Sequence, residues 1–261
     1  MKVAFVHYWL VGMRGGEKVL EALCELYPDA DIFTLVADRD KLSPTLKSHK
    51  ITTSFLQKIG GVRHYQKMLP LMPMALESLD LTPYDLVISS EAGPAKGVIT
   101  RPDAVHVCYC HSPMRYIWDL YPQYYANAGG LTRLAMSLTS PGLRTWDVAT
   151  SARVDHFIAN SAYVAKRIEK FYRREASVIH PPVDLSRFSL AGTAQDYYLC
   201  AGQITPYKKI EIAVEAFTRL NMPLVVIGSG ATSALKKAAG PSITFLGAVA
   251  SIRCSFDGKY L

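Results

Sequence analysis

One pattern constrains this chain more than any other. A short apolar run, a glycine-bearing loop and a helical spacing of apolar residues follow one another, and the same succession returns later. Residues 2–6 read as a buried strand, Gly12-Met13-Arg14-Gly15-Gly16 as a loop, and Val19, Leu20, Leu23 and Leu26 recur at helical spacing after Glu17. Residues 31–36, 84–90 and 104–110 are further strand candidates. Strands separated by helical patterns predict a parallel sheet with crossover helices. The pattern restarts at 196–202, with helical spacing at Ile210, Ala213, Val214 and Phe217, then a strand at 224–227 ending in Gly228-Ser229-Gly230. Between the blocks stands His180-Pro181-Pro182-Val183-Asp184, where two prolines forbid helix and bias the backbone to extended. The reading is an α/β chain with two domains, 1–182 and 183–261.

Its 261 residues are more than one average domain and fewer than two large α/β domains. Apolar residues make up 49% and charged residues 20%, which allows buried cores and argues against wholesale disorder. No run approaches the about 18–20 apolar residues of a membrane-spanning helix. The apolar start is too short for a secretory signal and lacks a small-residue cleavage site, so a cytoplasmic chain is expected. Cys24, Cys108, Cys110, Cys200 and Cys254 are scattered and odd in number, which suits buried free thiols better than a disulfide framework or a tetrahedral metal site. A net charge of +7 favours polyanions or phosphorylated ligands without choosing among them.

In open parallel sheets, ligands lie at the carboxyl ends of the strands, where both glycine-bearing loops fall. Gly15 and Gly16 stand just before a helix, where free backbone N–H groups and the positive dipole end attract anions. Without side chains, they let a phosphate or sugar approach closely. A plain tight turn explains the same two glycines equally well. No G-x-G-x-x-G follows the first strand and no G-x-x-x-x-G-K-[ST] occurs, which disfavours a nicotinamide enzyme and a P-loop NTPase. In the second block, Gln203-Ile204-Thr205-Pro206-Tyr207-Lys208-Lys209 lies between a strand and a helix. Its lysines suit a diphosphate, with solvated surface lysines as the plain alternative. The stretch from Cys110 to Asp119 gathers His111, Arg115, Tyr116 and Trp118, a mixture of ring faces and polar groups that suits a carbohydrate subsite.

Together these stretches resemble bacterial glycosyltransferase family 4, retaining enzymes of the GT-B type with two Rossmann-like domains, and especially its mannosyltransferase-like members. Gly15-Gly16-Glu17, Ser89-Ser90-Glu91 with Ala95-Lys96-Gly97-Val98, and the stretch from Cys110 carry the resemblance in the first block. Ile158-Ala159-Asn160-Ser161, the proline linker, Pro206-Tyr207-Lys208-Lys209 and Gly228-Ser229-Gly230 continue it, in order, to about residue 247. The resemblance implies transfer of a hexose, with mannose expected, from a nucleotide sugar, with GDP-mannose expected, to a saccharide or lipid-linked saccharide acceptor, with retention. It places the donor diphosphate near Lys208 and the Gly15-Gly16 loop, and His111 beside the donor sugar as the catalytic-site residue that orients hydroxyls. It places the acceptor near Glu91, Arg115 and Tyr116, and adds Ser161, Gln203, Lys209 and Gly228 to the substrate-binding set. Gly15, Gly16, His111 and Lys208 are thereby expected to share one cleft. No metal, no cofactor beyond the donor and no nucleic-acid partner is implied.

Two features depart from the family pattern. Gln203 stands where the family has arginine, and Glu215 is the last glutamate, whereas the family's second domain carries a later glutamate pair for the donor. The second domain is therefore expected to be incomplete and the chain alone a weak transferase. A non-catalytic remnant that binds only acceptor or partner is the alternative. A membrane contact is also expected, at the anionic inner face of the cytoplasmic membrane. Over 162–174, Val164, Ile168, Phe171 and Tyr172 share one helical face, and Lys166, Lys170, Arg173 and Arg174 the other. The apolar stretch 68–74 supports the same contact. An ordinary amphipathic helix packed on its sheet is the alternative.

Overall fold

The computed structural model describes residues 1–184, 196–205 and 208–247. The chain divides into two compact units, Met1–Pro182 and Val183–Leu261, and each is described by itself. Pro206 and Tyr207 of the lysine motif, and residues 248–261 with Cys254, lie outside the described residues.

The first unit opens with β1 (Val3–His7) and α1 (Gly15–Leu26). Next come β2 (Asp31–Thr34), α2 (Pro44–Ser48), β3 (Ile51–Thr53), α3 (Gly61–His64) and α4 (Met72–Glu77). β4 (Leu86–Glu91), β5 (Val105–Cys110), α5 (Tyr121–Ala126), α6 (Gly130–Ser151), β6 (His156–Ala159), α7 (Ala162–Tyr172) and β7 (Ser177–Val178) complete it. All seven strands are parallel, in the order β3-β2-β1-β4-β5-β6-β7. The order reverses between β1 and β4, the switch point at which α/β sheets open a crevice for ligands.

β1 has no polar alternation because it is buried along its whole length, as a parallel strand covered on both faces must be. Its side chains alternate between two cores. Ala4 and Val6 enter one with Leu35, Met72, Ala75 and Leu76, and Val3 and Phe5 enter the other with Leu20, Cys24, Ile32 and Leu46. Of the helical spacing after Glu17, Val19 and Leu20 are buried and Leu23 packs on the core, while Leu26, at the end of α1, is exposed. The stretch 68–74 runs from a 3-10 turn (Tyr65–Leu71) into α4. Met68 and Leu69 pack on the core and Met72 is buried, while Leu71 and Met74 stay exposed.

Helix α7 follows the ordinary amphipathic pattern. Val164, Ile168 and Tyr172 join Cys108, Cys110, Val154 and Phe157 in a core cluster. Of the basic residues expected opposite, Arg174 is held by backbone: its guanidinium donates to the carbonyls of Ser151 (2.8 Å), Val154 (2.7 Å) and Asp155 (3.1 Å). Lys166, Lys170 and Arg173 remain exposed.

Gly61 is a tight fit against backbone in this unit. A Cβ there would stand 2.4 Å from the Leu56 carbonyl oxygen and 2.5 Å from a Val36 methyl. The carbonyl belongs to backbone and cannot rotate away. Gly61→Ala is therefore expected to cost about 1–3 kcal/mol by overpacking, read as a lower melting temperature. An unchanged melting temperature would count against this packing.

In the second unit, β8 (Tyr198–Ala201), α8 (Ile210–Leu220), β9 (Leu224–Ile227), α9 (Ser233–Ala238) and β10 (Ile243–Gly247) build a parallel sheet in the order β10-β9-β8. Val214 and Phe217 of α8 close a small core with Leu224 and Val226.

Candidate functional site

The carboxyl ends of β1, β4 and β5 meet the N-terminus of α1. His7 pairs in register with Ser90, and the N–H of His111 extends the ladder to the Glu91 carbonyl at 2.6 Å. Three side chains then converge on one glycine. A Cβ on Gly16 would lie 3.2 Å from the Tyr8 hydroxyl oxygen, 3.3 Å from His7 Cε1 and 3.5 Å from His111 Nε2. Gly15 meets nothing within 4 Å and faces open space. Close approach thus favours glycine at 16, where a side chain would press on three rings, a choice that the sequence alone left undecided.

The electrostatics of this corner follow from burial. His111 Nε2 lies 3.0 Å from Ser90 Oγ, and burial lowers its pKa to about 4, so the ring is neutral near pH 7. His7 is wholly buried and held down to about 3 by burial first and neighbouring His111 second. Neither His7 ring nitrogen makes a well-formed hydrogen bond, although the Ser90 backbone slightly favours its proton. Burial and then Glu17 raise the Tyr8 phenol, and Arg14 and Arg115 oppose them, so both guanidiniums act on this oxygen. Glu17 closes the start of α1: its carboxylate accepts the Arg14 N–H at 3.1 Å, and burial raises its carboxyl pKa. Backbone N–H groups without intrahelical partners, two guanidiniums and a neutral imidazole make a corner suited to an anionic ligand with hydroxyls.

The stretch from Cys110 divides in two. Met114 and Ile117 are buried with Leu143. Trp118 stacks on Phe171 with centroids 4.8 Å apart and donates to Asp147 at 2.7 Å. Arg167, itself buried, holds Ser112 and Asp119. His111 and Arg115 of this stretch adjoin the corner, and Tyr116 packs on the Met114 cluster with its hydroxyl buried and without a hydrogen-bond partner among the described residues. The Tyr116 hydroxyl lies 3.6 Å from a Cβ on Gly93, beside Tyr8 Cβ at 3.7 Å.

Two expected substrate residues have other duties. Glu91 is fully buried, accepts the Lys96 N–H at 2.9 Å and lies 3.8 Å from Lys96 Nζ. Its carboxylate therefore supports the loop from inside. Ser161 is the cap of α7: its hydroxyl accepts the Val164 N–H at 3.3 Å and donates to Asn160 Oδ1 at 3.1 Å. His7, Tyr8 and Gly93 were not singled out from the sequence. The available signal was a histidine closing an otherwise apolar buried strand at its carboxyl end.

In the second unit, the ends of β8 and β9 press together. Gly228, with φ of 141°, would set a Cβ 1.8 Å from the Gly202 carbonyl oxygen, so glycine is obligatory there. Lys208 Nζ lies 3.1 Å from a Cβ on Gly202, placing its ammonium at the same strand end. Gln203 is exposed. Lys209 begins α8 in the left-handed region and pairs with Glu211 at 3.5 Å. Gly15, Gly16 and His111 thus come together in one unit, and Gly202, Lys208 and Gly228 in the other. A cavity of about 480 Å³ lined by Met1, Tyr27, Asp29 and Asp85 opens at the amino ends of the strands, away from this corner.

Known proteins agree with this architecture. At 14% identity, the structure of Anabaena HepE in complex with UDP and glucose matches with a TM-score of 0.60 over 96% of this chain and 70% of that one. Sucrose-phosphate synthase from Thermosynechococcus elongatus matches at 0.57 and 13% identity, over 95% and 71%. The lipopolysaccharide outer core galactosyltransferase WaaB matches at 0.54 and 15% identity, over 96% and 69%. At such identities the likeness is one of fold. No curated protein sequence matches significantly. The family description "Glycosyltransferase Family 4" fits residues 13–187, which hold Gly15, Gly16, His111 and every strand of the first unit except β1, and the chain belongs to that family.

Proposed function

We propose that the chain takes part in transfer of a hexose from a nucleotide-sugar donor to a hydroxyl of a saccharide or lipid-linked saccharide, with retention of anomeric configuration. Mannose from GDP-mannose is the first donor to test. The observation that carries the reading is the convergence of His7, Tyr8 and His111 on Gly16 at the N-terminus of α1. The HepE structure, of like fold, holds UDP and glucose, which supports a nucleotide-linked hexose and makes UDP-glucose the second donor to test.

The chemistry follows from the charges. As the bond from the anomeric carbon to the diphosphate breaks, negative charge builds on the leaving oxygen. Amides at the start of α1 and the guanidiniums near Tyr8 are groups able to stabilise it, and the second unit carries a group of the same kind in the Lys208 ammonium. Neutral His111 can exchange hydrogen bonds with sugar hydroxyls, its Nε2 already directed by Ser90. Arg115 and Tyr116 are the proposed acceptor contacts.

The test measures nucleoside diphosphate release and product anomeric configuration with each donor and a set of saccharide acceptors. Turnover is expected to fall about 100-fold in His111→Ala, the scale for losing one preorganised polar group, with the melting temperature retained. Turnover indifferent to His111→Ala, or an inverted product, would sink the corresponding part of the proposal.

A further inference from the structure

Helix α6 has two unlike halves. Pro141 interrupts its backbone hydrogen bonding, since proline offers no N–H. After it, Leu143, Asp147, Thr150 and Ser151 are buried. Before it, almost everything is exposed, including Leu131 (87%), Leu134 (58%) and Leu138 (73%). These leucines recur at spacings of three and four, so they form one stripe with Ala135 between them. At 100° per residue the stripe lies opposite the line of Ser140, Leu143 and Asp147 that meets the core. It is a second apolar face directed away from the unit, where solubility alone would favour polar residues.

The surroundings select an occupant. No aspartate or glutamate occurs anywhere from Leu120 to Trp146, while Arg133 and Arg144 do, so the segment that carries the stripe brings no negative charge of its own against a layer of anionic headgroups. Arg133 is exposed and caps α5 through the carbonyls of Tyr125 and Ala126 at 3.0 and 2.7 Å, and it keeps its charge there. Just upstream, α5 carries Tyr121, Tyr124 and Tyr125, the amphipathic rings that suit a membrane–water boundary. Three leucines and an alanine offer a few hundred Å² at most, well below the about 800 Å² per partner of a stable protein dimer. Among the described residues, no helix is long and apolar enough to cross a membrane, so a helix lying in the interface is the geometry that remains.

We propose that the first half of α6 docks the chain on an anionic lipid surface, with Leu131, Leu134 and Leu138 inserted below the headgroups. This moves the membrane contact away from α7, whose apolar face is spent on the core. The proposal draws on the reading of a lipid-linked acceptor for its purpose. Its test reads lipid binding without turnover, so either can fail alone.

The experiment is co-sedimentation of the full chain with phosphatidylcholine vesicles and with vesicles that also contain phosphatidylglycerol. The wild type is compared with Leu131→Gln/Leu134→Gln/Leu138→Gln and with Lys166→Gln/Lys170→Gln. Glutamine keeps the helix propensity of leucine closely enough that melting temperatures should match. The stripe variant is expected to lose at least about tenfold in partitioning on both vesicle types. The lysine variant should keep its binding to phosphatidylcholine. Wild-type binding to neither vesicle, or a stripe variant that sediments as the wild type does, overturns the proposal. So does a lysine variant that loses binding as fully as the stripe variant. A lipid-free wild type that is dimeric where the stripe variant is monomeric also overturns it, and assigns the stripe to self-association.

Discussion

Lys96→Met is expected to destabilise the first unit by about 3–5 kcal/mol, the scale for removing one member of a buried ion cluster. For a unit of this size that is on the order of a 10 °C lower melting temperature. Lys96 is fully buried in the turn after β4. Its ammonium contacts Asp147 of α6, lies 3.8 Å from Glu91 Oε1 and sits 4.6 Å from the centre of the Tyr172 ring. Asp147 also accepts from Trp118 at 2.7 Å and from Tyr172 at 3.0 Å. Glu91 is less well served: Oε1 has no hydrogen-bond partner among the described residues. Methionine fills the same space but leaves two buried carboxylates facing each other without a cation. Burial already pushes the Glu91 carboxyl up to about 7, so Glu91 should take up a proton in the variant and limit the loss. The double variant Lys96→Met/Glu91→Gln should accordingly recover part of the stability, a coupling that urea unfolding of the four proteins would measure. A single-variant loss under about 1 kcal/mol would mean that water reaches the cluster and the account is wrong.

Acid should unfold the protein steeply, beginning well above the usual carboxylate range. His7, His106 and His111 are lowered from 6.5 to about 3, 4 and 4, in each case with burial as the largest cause. His106 is fixed as the neutral Nδ1–H form, since Nδ1 faces the Arg153 carbonyl at 3.2 Å and Nε2 faces Ser89 Oγ at 2.9 Å. With folded pKa values below the unfolded one, the unfolded state binds more protons, so stability is lost as pH falls below 6.5 toward 4. Glu91 acts the other way. Its folded pKa is raised from 4.5 to about 7, so its contribution is present at low pH and is lost as pH rises from 4.5 to 7. Glu17, whose carboxyl is also raised by burial, acts in the same direction as Glu91, and three histidines still outweigh two glutamates. Near pH 5 unfolding should take up between about one and two net protons, more than about tenfold in the unfolding constant per pH unit. Urea midpoints between pH 7 and 5 test this, and a flat profile would contradict the buried neutral rings. His106→Gln should remove about one proton from the slope, since the amide can still bond to Ser89 and Arg153.

The local pattern was legible because it is a consequence of local chemistry. Residues 2–6 read as a fully buried strand since a covered parallel strand has no solvent side. Val19, Leu20 and Leu23 of the helical spacing after Glu17 marked the face of α1 that packs, and Leu26 fell outside it. The prolines at 181 and 182 fell where the two units divide. The sequence also placed Gly15, Gly16, His111, Lys208 and Gly228 at strand ends, where α/β ligands bind. What it could not settle was which way a side chain turns once neighbours distant in sequence arrive. Glu91, expected beside the acceptor, is drawn inside together with Lys96 once Asp147, from α6, closes over them. Arg167 and Phe171 of α7 draw much of the Cys110 stretch into the scaffold and leave His111 and Arg115 at the corner. His7 gains its place from register with Ser90, and Gly16 its close fit from three rings at the ends of two strands. For α7 and α6, amphipathic spacing announces an apolar face and says nothing of what will cover it. Only the tertiary packing showed that the face of α7 is covered by the core and that the leucine stripe of α6 is left outside.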